Sequence, residues 1–242
     1  MDPARRAVTV LSLLAATFLH PAGTGDLYSQ QGAELLRAEF SDLAIKHWVG
    51  IKLATRANRF TVVEESGRPV LMAESEKSAS ALWYRLDIPP REGSTVAWRW
   101  KVGSALTGNT REREKKGDDY AARFFVIFDA QPFSREGRAI CYVWAAGEPV
   151  GAVFRNPYFP NVATVVLRSG DAHAGEWVAE ERDFVSDYRQ AFGEAPEIVT
   201  AVAVMVDTDN TQRRATAWFD EIRVKLRPPD ALISKSPASK GF

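Results

Sequence analysis

The alternation of apolar and polar positions is sharpest over residues 94–102. There Val96, Trp98, Trp100 and Val102 fall on one face, and Ala97, Arg99 and Lys101 on the other. A period of two carried by β-branched and aromatic residues predicts a half-buried strand. Residues 79–88 repeat it, with Leu82, Tyr84 and Leu86 set against Trp83, Arg85 and Asp87, until Pro89-Pro90 stops the run. Residues 59–65 and 69–75 are short apolar-rich runs joined by Ser66-Gly67-Arg68, which suits a hairpin turn. The run Phe124-Phe125-Val126-Ile127-Phe128 does not alternate. A continuous apolar stretch of strand length predicts a central strand buried on both faces. Further strands are expected at 138–145, 163–168, 198–206 and 216–226, the last with Trp218, Ile222, Val224 and Leu226 on one face. Helical patterning is sparse. One or two turns are expected within 30–37, and a helix over 185–192 that stops at Gly193, a residue suited to a left-handed C-cap.

Nine to eleven strands without a regular strand–helix alternation disfavour a doubly wound α/β fold. They predict an all-β chain: an antiparallel β-sandwich or jelly roll with one or two short helices. A length of 242 residues fits one such domain. At the N-terminus, Arg5 and Arg6 precede thirteen uncharged residues, 7–19, and then the small residues of Pro21-Ala22-Gly23-Thr24-Gly25. This is the three-part pattern of a secretory signal, and its apolar stretch is too short for an ordinary membrane span. The expected organisation is a signal peptide at 1–25, a single β-sandwich domain at 26–227, and a flexible C-terminal tail at 228–242. The mature chain is expected to be periplasmic or secreted, with no membrane span.

Composition narrows the function. With 31 basic and 31 acidic residues the formal net charge is zero, so the basic footprint of a nucleic-acid binder is missing. The single cysteine, Cys141, lies in the apolar run 140–144 and reads as a small core residue. It excludes an intramolecular disulfide and paired-cysteine zinc sites. His20, His47 and His173 have no metal-ligand spacing. Neither a Gly-x-Ser-x-Gly elbow nor a Gly-rich phosphate loop is present.

Four motifs occur in order: Trp98-Arg99-Trp100-Lys101-Val102, the segment 115–123, Val166-Leu167-Arg168-Ser169-Gly170, and Asp207-Thr208-Asp209-Asn210-Thr211. Together they resemble a bacterial exported family catalogued as domain of unknown function 3047, over roughly residues 40–225. The resemblance implies no activity. The ending Ala217-Trp218-Phe219-Asp220-Glu221-Ile222-Arg223-Val224 is also similar to the last strand of galactose-binding-like jelly rolls.

Three places could carry chemistry. In Lys115-Lys116-Gly117-Asp118-Asp119-Tyr120, with Arg123 nearby, adjacent carboxylates precede the central strand. Alternation turns Asp118 and Tyr120 one way and Asp119 the other. Such a pair serves as a structural strand entry balanced by Arg123, as a ligand site, or as acid–base groups of the glycosidase kind. Asp207, Asp209 and Asn210 offer alternate oxygens at a strand end, which suits either a side-chain-stabilised turn or calcium. Asp220, predicted to point to the core or a cleft edge, needs a cationic partner, for which Arg99 and Arg123 are candidates. The many tryptophans raise sugar stacking, although most fit core packing. Residues 156–160, Asn-Pro-Tyr-Phe-Pro, form a rigid loop that could present Tyr158 or Phe159.

The lead expectation is therefore an exported, non-catalytic binding module for a glycan or cell-envelope component. The alternatives are a carboxylate-dependent glycan hydrolase using Asp118, Asp119 or Asp220, and a structural or interaction subunit of an envelope protein assembly contacting its partner through 111–116. No cofactor is expected apart from calcium at 207–210.

Overall fold

The structure, a computed structural model, describes residues 34–38, 40 and 44–227; the expected signal peptide and C-terminal tail lie outside the described residues. Strands β1 (Glu34–Ala38), β2 (Val49–Lys52), β3 (Arg59–Glu65), β4 (Arg68–Glu76), β5 (Ala79–Ile88) and β6 (Thr95–Val102) occupy the first half. Strands β7 (Ala122–Phe128), β8 (Arg138–Ala145), β9 (Val153–Arg155), β10 (Val162–Ser169) and β11 (Val178–Asp183) follow. Helix α1 (Phe184–Phe192) and strands β12 (Val199–Asp207) and β13 (Arg214–Lys225) complete the described chain. One sheet has the order β11-β6-β13-β4-β3, with β1 also paired to β13; the other runs β2-β5-β12-β7-β8-β10-β9.

The core lies between the two sheets. On β6, Val96, Trp98, Trp100 and Val102 face inward and are fully buried, as the alternation requires. Trp98 stacks on Phe124 of β7 with ring centroids 4.3 Å apart and planes 8° apart, and Trp100 meets Trp144 of β8 at 5.9 Å, so aromatic pairs join the sheets. Strand β7 sits between β12 and β8 and is buried along its whole length. Phe124, Val126 and Phe128 enter the inter-sheet core, while Phe125 and Ile127 belong to a second apolar layer on the sheet's outer side. Phe133, from the loop after β7, and Phe154 of β9 pack against that outer layer, so both faces of β7 are covered. Helix α1 starts on Asp183, whose carboxylate accepts the Ser186 N–H, and ends at Gly193 in the left-handed conformation (φ 82°).

Four expectations are corrected. The helix expected within 30–37 is replaced over Glu34–Ala38 by β1: pairing with β13 supplies backbone bonds that one isolated helical turn could not. Residues 30–33 lie outside the described residues. The sandwich is not wholly antiparallel, because β10 pairs with β8 in parallel, with β9 set within the long connection between them. Thirteen strands occur among the described residues, the additional ones being short. Finally, Trp218 does not share a face with Ile222 and Val224. A β-bulge between Asp220 and Arg223, with Glu221 at φ 51°, reverses the side-chain parity. Phe219 and Ile222 both point inward, and Trp218 points outward beside Lys101, whose Nζ lies 4.3 Å from its ring centre.

Candidate functional site

The outer apolar layer of the seven-stranded sheet floors a pocket of about 280 Å³. Phe125 and Ile127 of β7, Ala139 of β8 and Met205 of β12 form the floor, with Phe133 packed against Phe125 at 5.5 Å. Strand ends fix the polar side. Asp118 and Arg123 come from the entry to β7, Asp207 from the end of β12, Asp209 and Asn210 from the turn that follows, and Asn156 and Tyr158 from the loop after β9. Tyr158 and Phe159 stand at the mouth, 44% and 41% exposed.

Arg123 organises the polar end. Its Nε donates to Asp207 Oδ1 at 2.9 Å and its Nη2 to Asp207 Oδ2; Nη2 also donates to the Asp118 carbonyl at 2.6 Å. The guanidinium lies over the Tyr120 ring, 4.4 Å from its centre. Asp118 Oδ2 accepts from Asn156 Nδ2 at 2.8 Å, whereas Oδ1 has Arg123 Nη2 at 3.2 Å but no hydrogen-bond donor aimed at it. The distance satisfies an ion pair; the direction does not make a hydrogen bond, because both Nη2 hydrogens are committed elsewhere.

Asp119 has a different role. Its Oδ1 accepts from the N–H and Nδ2 of Asn210 at 3.2 and 3.1 Å, and its Oδ2 from the N–H and Oγ1 of Thr211 at 2.5 and 2.6 Å. Asp119 therefore clamps the 208–211 turn from inside. Tyr120 is also enclosed; its N–H donates to Asp207 Oδ1 at 3.0 Å and its hydroxyl to the Glu112 carbonyl at 3.2 Å. Asn210 Oδ1 accepts from the Tyr158 hydroxyl at 2.7 Å, which ties the aromatic loop to the turn.

One carboxylate oxygen from each of Asp119, Asp207 and Asp209 falls within 4.8 Å of the others. Both oxygens of Asp119 and both of Asp207 already accept from N–H or O–H donors. Asp209 is half-buried, and among the described residues its carboxylate accepts from its own backbone amide. Burial pushes Asp118, Asp207 and Asp209 upward from the ordinary carboxylate range, with Arg123 opposing. Cys141, beneath the pocket, is pushed up to about 12 by burial, so it stays a thiol.

The other expected site residues lie elsewhere. Arg99 and Asp220 are register partners on the outer face of the six-stranded sheet, and Arg99 Nη2 donates to Asp220 Oδ2 at 2.8 Å. Arg68 adds a second contact at 3.3 Å. Asp220 thus finds a cation, but on a different sheet from Asp118 and away from the core; Arg123 is not its partner. Asn156, Phe133, Met205 and Arg138 escaped sequence reasoning. Only Asn156 carried a signal, since it opens the rigid Asn-Pro-Tyr-Phe-Pro loop.

Among the described residues no helix is long and apolar enough to cross a membrane. No curated protein sequence matches the chain. Among solved structures, it is similar to the family 11 carbohydrate-binding module of a cellulosomal cellulase of Clostridium thermocellum, with 7% identity over 84% of this chain and 97% of that chain and a TM-score of 0.40. It is similar to a native family 12 xyloglucanase from Bacillus licheniformis, with 9% identity over 81% and 99% and a TM-score of 0.45. The xyloglucanase domain of a type three effector from Sinorhizobium fredii gives 10% identity over 81% and 99% and a TM-score of 0.43. The family model described as protein of unknown function DUF3047 matches residues 46–223, and the chain belongs to that family.

Proposed function

We propose that the protein is an exported, non-catalytic binding module whose pocket on the seven-stranded sheet holds a glycan unit. The observation that carries this reading is the division of the pocket: an apolar floor of Phe125, Ile127 and Met205 meets a polar end of Asp118, Asn156 and Asp209, with Tyr158 at the mouth. Sugar rings have the same division, with C–H faces that pack on aromatic and aliphatic surface and hydroxyls that bond to carboxylates and amides. A few placed polar groups above an apolar lining are the usual construction of a small-ligand site.

Binding is favoured over hydrolysis by the state of the carboxylates. A glycosidase pair faces its substrate across a groove, with carboxyl groups about 5–10 Å apart. Here Asp118, Asp119 and Asp207 are 5%, 0% and 2% exposed and engaged by Arg123, Asn156, Asn210 and Thr211. Asp220, 1% exposed, is held by Arg99 on the other sheet.

The test is a thermal-shift titration of the purified protein against a panel of envelope and plant-type oligosaccharides, with reducing-sugar release followed in parallel. Binding to the folded state alone raises the melting temperature by mass action. A saturable shift with no sugar released supports the module; turnover, or a flat response across the panel, removes it. Export is tested by N-terminal sequencing of the natively produced chain, which should begin near Asp26.

A further inference from the structure

The charges at the polar end of the pocket do not balance. Three pocket-lining carboxylates, Asp118, Asp207 and Asp209, meet one guanidinium, Arg123. The second pocket-lining cation, Arg138, is held by Glu194 and by the Tyr188 hydroxyl. Arg123 spends its Nε and Nη2 hydrogens on Asp207 and the Asp118 carbonyl. What remains is the Asp209 carboxylate, which no lysine or arginine pairs among the described residues, beside the 95% buried Asp118, whose Oδ1 receives no hydrogen bond and shares Arg123 Nη2, at 3.2 Å, with Asp207. Uncompensated carboxylate in a desolvated pocket is costly, and a ligand that supplies the missing charge recovers that cost on binding.

The chemistry of that ligand follows. A calcium ion requires six to eight oxygens, and with Asp119 and Asp207 already engaged by N–H donors too few are left. Hydroxyls satisfy the lone pairs but not the charge. A protonated primary amine brings three donors and one charge, and the apolar floor takes the ring that carries it. Resting on the glycan reading above, we propose that the pocket selects an amino sugar, a hexosamine with a free amine, whose ammonium lies against Asp209 on the side facing Asp118.

The experiment is calorimetric titration of the purified protein with four probes: β-1,4-linked oligosaccharides of glucosamine, of N-acetylglucosamine and of glucose, and cyclohexylamine as an amine without a sugar. Glucosamine oligosaccharides should bind at least about tenfold more tightly than the others, a gap of about 1.4 kcal/mol. Added salt should weaken them and leave the neutral sugars unchanged. Asp209→Asn should abolish the preference, bringing glucosamine oligosaccharides down to the affinity of the neutral sugars, and Asp118→Asn provides a second variant. If neutral or N-acetylated sugars bind as tightly, the amine selection is wrong while the glycan module stands. If cyclohexylamine matches glucosamine, the sugar is not what is recognised. If no oligosaccharide on the wider panel binds, the glycan reading fails and this one with it. Should both variants fail to fold, the salt dependence on the unmodified protein still decides.

Discussion

Arg123 and Asp207, 84 residues apart in sequence, are locked at two points on neighbouring strands: Nε meets Oδ1 at 2.9 Å and Nη2 meets Oδ2. Both side chains are buried, so neither end of this pair can be relieved by water. Arg123→Met should therefore leave Asp207 and Asp118 as uncompensated buried carboxylates and cost roughly 3–5 kcal/mol. The control is Arg214→Ala, which breaks an exposed pair with Glu76 and should cost less than about 1 kcal/mol. Urea unfolding of the two variants checks the contrast, and equal losses would refute it.

The pH dependence has a definite sign. Burial pushes Asp207 from 3.8 to about 8, outweighing Arg123, and moves Asp118, Asp209 and Glu112 in the same direction. Between those limits the folded state holds more protons than the unfolded chain, so this contribution to stability is complete below the unfolded value and is lost as pH rises through the folded one. The melting temperature should fall between about pH 5 and about pH 8. Asp207→Asn should flatten that slope even though it lowers the absolute midpoint.

Gly117 sets the backbone just ahead of Asp118. A Cβ there would lie 2.4 Å from the Arg111 carbonyl oxygen and 2.6 Å from its carbon. Neither atom can rotate away, so Gly117→Ala should cost about 1–3 kcal/mol and displace Asp118 from the pocket wall. Denaturant midpoint and glycan affinity should fall together; a variant with both unchanged would show that this loop is not held as described.

Tyr158 is the aromatic most available to a ligand, with its hydroxyl anchored to Asn210 and to the Lys115 carbonyl at 3.0 Å. Tyr158→Ala should weaken glycan binding by about tenfold, the loss of roughly one aromatic contact. Its exposure means the melting temperature should barely change. Calorimetry and a melt on the same sample separate the two effects.

Calcium should leave the melting temperature unchanged, as should EDTA. The reason is the donor set: Asp119 accepts from Asn210 and Thr211, and Asp207 from Arg123 and Tyr120, so a cation would have to displace committed N–H groups. A saturable upward shift with calcium would show that the 207–210 turn rearranges to bind it.

Much of the architecture was legible from local pattern. Residues 94–102 alternate with a period of two, and their apolar half is the face buried in β6. The unbroken run at 124–128 announced a strand covered on both sides, and Gly193 stopped α1 where a left-handed residue was needed. Periodicity could not foresee the bulge at Glu221, because the extra residue is revealed only by the register against β6. Nor could it foresee the β8–β10 parallel pairing, which depends on how a long connection crosses the sheet.

At the candidate site, residue type and local pattern already give which side chains carry charge and which segments flank buried strands: Asp118, Asp119, Tyr120 and Arg123 before and within β7, Asp207, Asp209 and Asn210 at the end of β12. Which of them pair depends on how the strands assemble. β7 and β12 are adjacent and antiparallel, so the start of one meets the end of the other, and Arg123 pairs with Asp207 rather than Asp220. The same packing closes a clamp from Asp119 onto the turn, leaves Asp118 Oδ1 without a hydrogen bond and brings no lysine or arginine to Asp209 among the described residues. Hydrophobic pattern is a local property and survives in one dimension. Charge compensation is a distance between groups remote in sequence, and it exists only once the sheets have formed.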